Sequence, residues 1–457
     1  MATFSRTLRA RCVTGLLSSI PVLTALGCGV GFDSPDKVET LRVFGVQKDY
    51  PYAAPTVDTA SPSEVHMTML SHDGSPLASE TSSTSDASIT GITPRTVQRL
   101  WFSGCDDLPG DTYFSCLPRI YGLWQLRTAA HGDVPVEDGK TWSPVDDLDD
   151  TLSQDQRNAA LAPLLQLVNP SLPIELAEPY LNTYRIGAGE RFTYPIPPRI
   201  IEDHRATTDP AIPPYGLAFV FFTACAGQTP TLDAAPEWKN IDWKSADIST
   251  TLTNATLGFP LICKDERGNT LDSDNYIAGY TQQYVYGDGS ANLNPVIDSV
   301  TFNDINYDLN SVDAGMPCLN DACVPDAVPS PDACKIEVTP GKENATPPHV
   351  KACSDHCPTY ELKPVLDPAK NNDIDTFTSA GGSTVREQMW IDYYANQGTL
   401  KGSARSLRDT TLGWFDDHGQ KWTPPASANN GPALLWAVVH DNRGGVAWLR
   451  VQVCIDP

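Results

Sequence analysis

The chain has 457 residues, with 56 acidic against 32 basic side chains and a formal net charge of −24. This balance argues against nucleic acid as a partner, since that needs clustered Lys and Arg to displace counterions. It also argues against a peripheral grip on anionic lipid. The length is more than one ordinary domain takes up and is read as two.

The first element is a leader. Arg6, Arg9 and Arg11 precede a mostly apolar run from Val13 to Leu26, the pattern of a secretory signal peptide. Ser18, Ser19 and Pro21 interrupt the run, which is shorter than the roughly 20 residues of a bilayer span. The stretch Leu23-Thr-Ala-Leu-Gly-Cys28 resembles the lipobox of bacterial lipoproteins, with Ala25 where Leu is commoner. The resemblance implies lipid on the Cys28 thiol and cleavage before it. Residues 1–27 are then a signal peptide and 28–36 a lipidated tether. The mature chain would sit at the outer membrane through its lipid, facing the periplasm or the cell surface.

Beyond the tether the text is mostly β. Leu41-Arg-Val-Phe-Gly-Val46 alternates through Leu41 and Val43 and then, after a shift, Val46. Val65–Leu70 alternates likewise, residues 77–95 read as a Ser/Thr-rich loop, and Val97–Phe102 is the next strand. Ser153 and Gln156 form a capping box for a helix carrying Ala159, Leu161, Leu164, Leu165 and Val168, which Pro163 is expected to kink or split. A Pro-rich stretch, 195–214, leads to the most apolar strand, Tyr215–Cys225, read as central and buried on both faces. Tyr276–Tyr286 closes this half, and Asn292-Leu-Asn-Pro295 is read as a boundary.

The second half opens with Val296–Phe302 and passes through an Asp-, Pro- and Cys-rich segment. Further strands are expected at Tyr360–Leu366, Glu387–Tyr394, Trp436–Val439 and Val446–Val453, the last two a hairpin around Asn442, Gly444 and Gly445. The predicted fold is mainly β: two immunoglobulin-like β-sandwich domains. The first spans 37–292 with a helical insertion at 106–214. The second spans 293–457 with a disulfide-rich insertion at 303–357.

Several motifs are similar to those of uncharacterised secreted lipoproteins of myxobacteria and their relatives. They are Leu41–Val46, Trp101-x-x-x-Cys105, Ala278-Gly-Tyr280, Asn294-Pro-Val-Ile297 and the ending Trp436-Ala-Val-Val-x-Asp-Asn-Arg-Gly-Gly-Val-Ala-Trp448. The closing hairpin also resembles the end of immunoglobulin-like or polycystic-kidney-disease-type repeats. The resemblance implies a fold and an anchor and carries no catalytic residues.

Removing Cys12 with the leader and Cys28 to lipid leaves ten of the twelve cysteines. An even set in an exported chain reads as disulfides. Locality suggests Cys105 with Cys116 and Cys225 with Cys263, while Cys318, Cys323, Cys334, Cys353, Cys357 and Cys454 pair among themselves. A competing reading gives Cys334, Cys353, His356 and Cys357 to zinc. Asp272-Ser-Asp274-Asn275 starts like a calcium loop, although Tyr276 and Ile277 replace the next ligand and the Gly. Asp416-Asp417-His418 offers acid–base groups. Trp101, Trp390, Trp436 and Trp448 are read as core, whereas Trp124, Trp142, Trp238 and Trp243 are read as loop residues able to stack on a sugar or a partner. With no nucleophile elbow, zincin or P-loop pattern in the sequence, the expected role is a non-catalytic, envelope-anchored protein-interaction or structural module, with other envelope proteins as partners. Glycan binding through the loop Trp residues is the alternative, and a hydrolase sited in the helical insertion a third.

Overall fold

The computed structural model describes residues 36–57, 62–75, 95–106, 112–132, 136–169, 171–204, 214–227, 230–239, 258–287, 292–309, 346–371, 387–426 and 432–456, with Cys334 and short strands at 318–319, 377–378 and 384–385. The leader, Cys28, Trp243, Cys323 and most of the Cys-rich insertion lie outside the described residues. Strand outweighs helix, 44% to 17%, so the fold is mainly β. No helix among the described residues is long and apolar enough to cross a membrane.

In the first half a three-stranded antiparallel sheet runs β1 (Leu41–Lys48), β3 (Glu64–Asp73), β7 (Arg191–Pro195). It faces a six-stranded sheet ordered β2 (Tyr52–Ala53), β11 (Tyr276–Tyr286), β8 (Tyr215–Gly227), β4 (Thr96–Asp106), β6 (Ile186–Ala188), β5 (Thr141–Trp142). The far side of this sheet carries the helices α1 (Leu117–His131), α2 (Gln154–Val168) and α3 (Ala177–Leu181) and a hairpin of β9 (Thr231–Ala234) and β10 (Leu261–Lys264). Two short helices, α4 (Ile200–Asp203) and α5 (Pro236–Lys239), flank β8 and β9.

In the second half one sheet is ordered β13 (Ile305–Asp308), β12 (Ser299–Phe302), β16 (Tyr360–Val365), β23 (Gln420–Thr423), β20 (Thr399–Leu400). The other is ordered β14 (Cys318–Leu319), β25 (Val446–Asp456), β24 (Ala433–Asp441), β19 (Met389–Ala395), β21 (Ala404–Asp409), β22 (Gly413–Trp414). β15 (His349–Lys351) adds in parallel to the end of β25, and β17 (Phe377–Thr378) pairs with β18 (Thr384–Val385).

Strand side chains alternate between faces, and here that period sorts residues among four cores. On β8, Leu217, Phe219 and Phe221 meet the helices, while Ala218, Val220, Phe222 and Ala224 meet Val65, Met67, Met69 and Phe192 of the three-stranded sheet. On the terminal hairpin Leu435, Ala437, Val439, Leu449 and Val451 meet Val300, Phe302, Leu362 and Trp422. Its other face sends Leu434, Trp436, Val438, Val446 and Trp448 against Val38, Phe44 and Leu70. Five layers therefore stack, and the first half's outer sheet is also covered by the second half's inner one.

The sequence shift inside Leu41–Val46 is a β-bulge. The β1–β3 register slips between Val43 and Gly45, which leaves Phe44 as the extra residue. Phe44 points outward, its ring 4.5 Å from Tyr394 and 5.2 Å from Trp436, and the slip returns Val46 to the inner face with Leu41. A Cβ on Gly45 would lie 3.4 Å from the Val446 side chain, so side chains of the hairpin pack close over the β1 backbone here. Polar groups close the edge of the seam. Asn294 accepts from the Val446 N–H at 3.0 Å and donates to the Lys48 carbonyl, and Gln47 donates to the Val446 carbonyl at 2.9 Å. At the hairpin turn Asp441 accepts the N–H groups of Arg443 and Gly445, both at 2.8 Å, and Gly444 takes a φ of 86°.

Three expectations change. The boundary read at Asn292–Pro295 is a point of contact between the halves, with Asn292 donating to Asp441 and Asn294 bonded to Lys48 and Val446, and residues 35–457 form one compact unit. The stretch 106–214 is not only helical. It supplies β5 and β6 to one sheet and β7 to the other, because Ile186, Phe192 and Tyr194 have buried faces to fill. Pro163 leaves α2 continuous; the Ser153–Gln156 capping box starts the helix, and the exposed Pro ring meets no neighbouring layer.

Phe44→Ala should lower stability by about 3 kcal/mol through the cavity it opens between layers. Thermal unfolding followed by circular dichroism should show one transition at lower temperature. A variant melting with the parent contradicts the seam.

Candidate functional site: a stapled cleft in the helical layer

A cleft of about 1080 Å³ opens between α1 and the β9–β10 hairpin, with β4 as its floor. Even-numbered residues of β4 face the helices, which places Gln98 and Leu100 in the floor. Helix α1 follows from Leu117, Ile120, Tyr121 and Trp124 at three- and four-residue spacing, with Pro118 in its first turn. Leu117, Ile120 and Tyr121 are buried; the half-buried Trp124 and the exposed Gln125 form the wall. Two disulfides hold the walls to the floor: Cys105–Cys116 joins the end of β4 to the turn before α1, and Cys225–Cys263 joins β8 to β10.

The cleft's charges answer one another. Asp233 accepts from Lys239 at 2.8 Å and from Lys264 at 2.6 Å. Burial pushes its carboxyl upward, but the lysine hydrogen bonds outweigh burial and hold it below the usual carboxylate range. The buried amide oxygen of Gln98 meets no donor among the described residues. The lining thus offers an aromatic wall, an acceptor in the floor and a paired charge cluster at the rim.

Of the four tryptophans read as loop contacts, Trp124 lies on helix α1 and reaches the cleft. Trp142 and Trp238 do not contact solvent in the way expected. Trp238 is 1% exposed and donates to the Gly258 carbonyl at 3.2 Å, and Trp142 is buried with its indole N–H 3.2 Å from Asp147. Their large rings fill the core beneath the helices. Trp101, Trp436 and Trp448 are core, as read, while Trp390 is half-buried and stacked on His440.

The zinc reading is corrected. Cys334 is bonded to Cys454 and Cys353 to Cys357, and sulfur in a disulfide has no thiolate to give a metal. No cluster of metal-ligating side chains occurs among the described residues. The segment read as the start of a calcium loop forms a turn. Asp272 spends its oxygen on the Asp274 N–H at 3.2 Å and the Asn275 amide at 2.7 Å, and the Asn275 oxygen accepts from Arg95. Those bonds make a turn that leads into β11. His418 is also structural, its two ring nitrogens 2.8 and 2.9 Å from the carbonyls of Phe415 and Pro364. No family model matches the chain, and no curated protein matches it.

Replacing Cys225 and Cys263 together by Ser should cost about 4 kcal/mol, given the 38-residue separation they close. Denaturant titration gives the cost, and faster amide exchange in β10 would report a loosened wall. Unchanged exchange there would show that the hairpin holds without its staple.

Proposed function

We propose that the protein is a non-catalytic module of the cell envelope, held at the outer membrane by lipid on Cys28, which binds another envelope protein through the α1 cleft. The observation that carries the binding role is the cleft itself, whose walls are fixed to the sheet before any ligand arrives. Preorganised walls spare a ligand the entropic cost of ordering them. An Asp held ionised by two lysines suits recognition; a general acid or base works best with a pKa near the operating pH. The lipobox-like Leu23–Cys28 supports the anchor and the myxobacterial-type lipoprotein reading. The sheet order β25–β24–β19–β21, with β15 parallel to β25, supports an immunoglobulin-like second half. The first half departs from that pattern through its helical layer. Trp124 in the wall favours glycan as the second reading.

A photo-cross-linking residue at Gln125, in cells making the full chain, tests both parts. A discrete protein adduct is expected, lost in Trp124→Ala, while Cys28→Ser moves the protein out of the membrane fraction. An adduct indifferent to Trp124→Ala contradicts the cleft, and membrane retention of Cys28→Ser contradicts the anchor. An adduct dispersed by a muramidase transfers the role to glycan.

A further inference from the structure

A second cleft, of about 490 Å³, lies at the edge of the seam between β11 and the turn of the terminal hairpin. It is separate from the α1 cleft, and its argument does not depend on that site. One wall comes from the even-numbered residues of β11, of which Tyr280 is exposed, Tyr284 half-buried and Tyr286 buried. Tyr280 is 41% exposed and stacks on Tyr113 at 4.7 Å; Tyr284 and Tyr286 continue the row at a 6.2 Å ring spacing, and Tyr52 lies 4.8 Å from Tyr286. The opposite wall is Asn442, Arg443 and Gly444.

Lys48 lines this cleft although it is only 2% exposed. Its ammonium donates to the Gln282 carbonyl at 2.7 Å, and an ammonium has three donors to place. Burial pushes its pKa down to about 8, with the Asp441 charge opposing the shift. Arg443 is already committed: it pairs with Glu387 at 2.9 Å and its guanidinium lies 5.7 Å from the Tyr52 ring. The charges at the cleft are therefore Lys48, opposed by Asp441, and Arg443, paired with Glu387. These four charges balance, so a dianion would add more repulsion from the two carboxylates than a single carboxylate set at the Lys48 ammonium would.

We propose that this cleft binds an acidic sugar, a hexuronate, with its carboxylate at Lys48 and its ring against the β11 tyrosines. Tyrosine faces carry the negative side of the ring quadrupole, which suits the C–H face of a pyranose. The amides of Gln282 and Asn442 and the hydroxyl of Thr281 stand in the lining for the sugar's hydroxyls. The volume falls in the ordinary range for a small-ligand site, roughly 300–1,000 Å³.

The test is calorimetric titration of the full chain with glucuronate and with methyl glucoside, its uncharged counterpart. Glucuronate should bind at least about tenfold more tightly, a ratio one charge-assisted contact can supply. Lys48→Met should erase the difference between the two sugars. Tyr280→Ala should weaken both sugars alike, with its melting curve checked against the parent because Tyr280 also packs on Phe219 and Phe221. Equal binding of the two sugars by the parent, no binding of glucuronate, or a preference that survives Lys48→Met overturns the proposal.

Discussion

The contact on which this architecture depends is the apolar layer between the bulged strand β1 and the outer face of the terminal hairpin. Phe44, Leu70 and Val38 from one half are buried against Trp436, Val438 and Trp448 from the other. The three-stranded sheet has two faces to cover, and only one of them meets the six-stranded sheet. Without the hairpin the second face would be open to water, at roughly 25 cal/mol for every Å² of apolar surface. The hairpin has the same need, since Leu434–Val439 is an unbroken apolar run. Each half thus supplies the other's missing layer.

That constraint sets where the two clefts lie. The α1 cleft lies on the outermost layer, where helices cover only part of the six-stranded sheet and disulfides fix what the packing leaves open. The tyrosine cleft lies where the layers meet edge to edge, so its two walls come from residues far apart in sequence. Lys48 ends β1 and Arg443 sits in the hairpin turn, and each keeps its place only while the seam is closed. The motifs Leu41–Val46, Asn294–Ile297 and Trp436–Trp448 meet at this seam. In this fold those motifs are chiefly structural.

Much of the fold was legible because period-two patterns are local. Strands β1 and β3 and the terminal hairpin follow from alternation and β8 from its continuous apolar run, and even the bulge shows as a slip between Val43 and Val46. The continuous run Leu434–Val439 signals burial on both faces, but not which surface covers the second one; the covering residue Phe44 is nearly the whole chain away. Helix α1 escaped because Gly122 and Pro118 interrupt its pattern, and with it went the proper setting of Trp124, taken for a loop residue. Strands β5, β6 and β7 are too short for periodicity to register. Both clefts were invisible for the same reason: Asp233 with Lys264, and Lys48 with Arg443, are brought together by pairing that no spacing rule encodes.

Native-state hydrogen exchange along a denaturant series tests the shared layer most directly. If the seam makes one cooperative body, the slowest amides of β8 in the first half and of β24 in the second open with the same free energy and the same denaturant slope. Amides of β24 and β25 that open with a smaller slope while β8 stays protected would show two independent sandwiches, and the account of a mutually completed stack would be wrong.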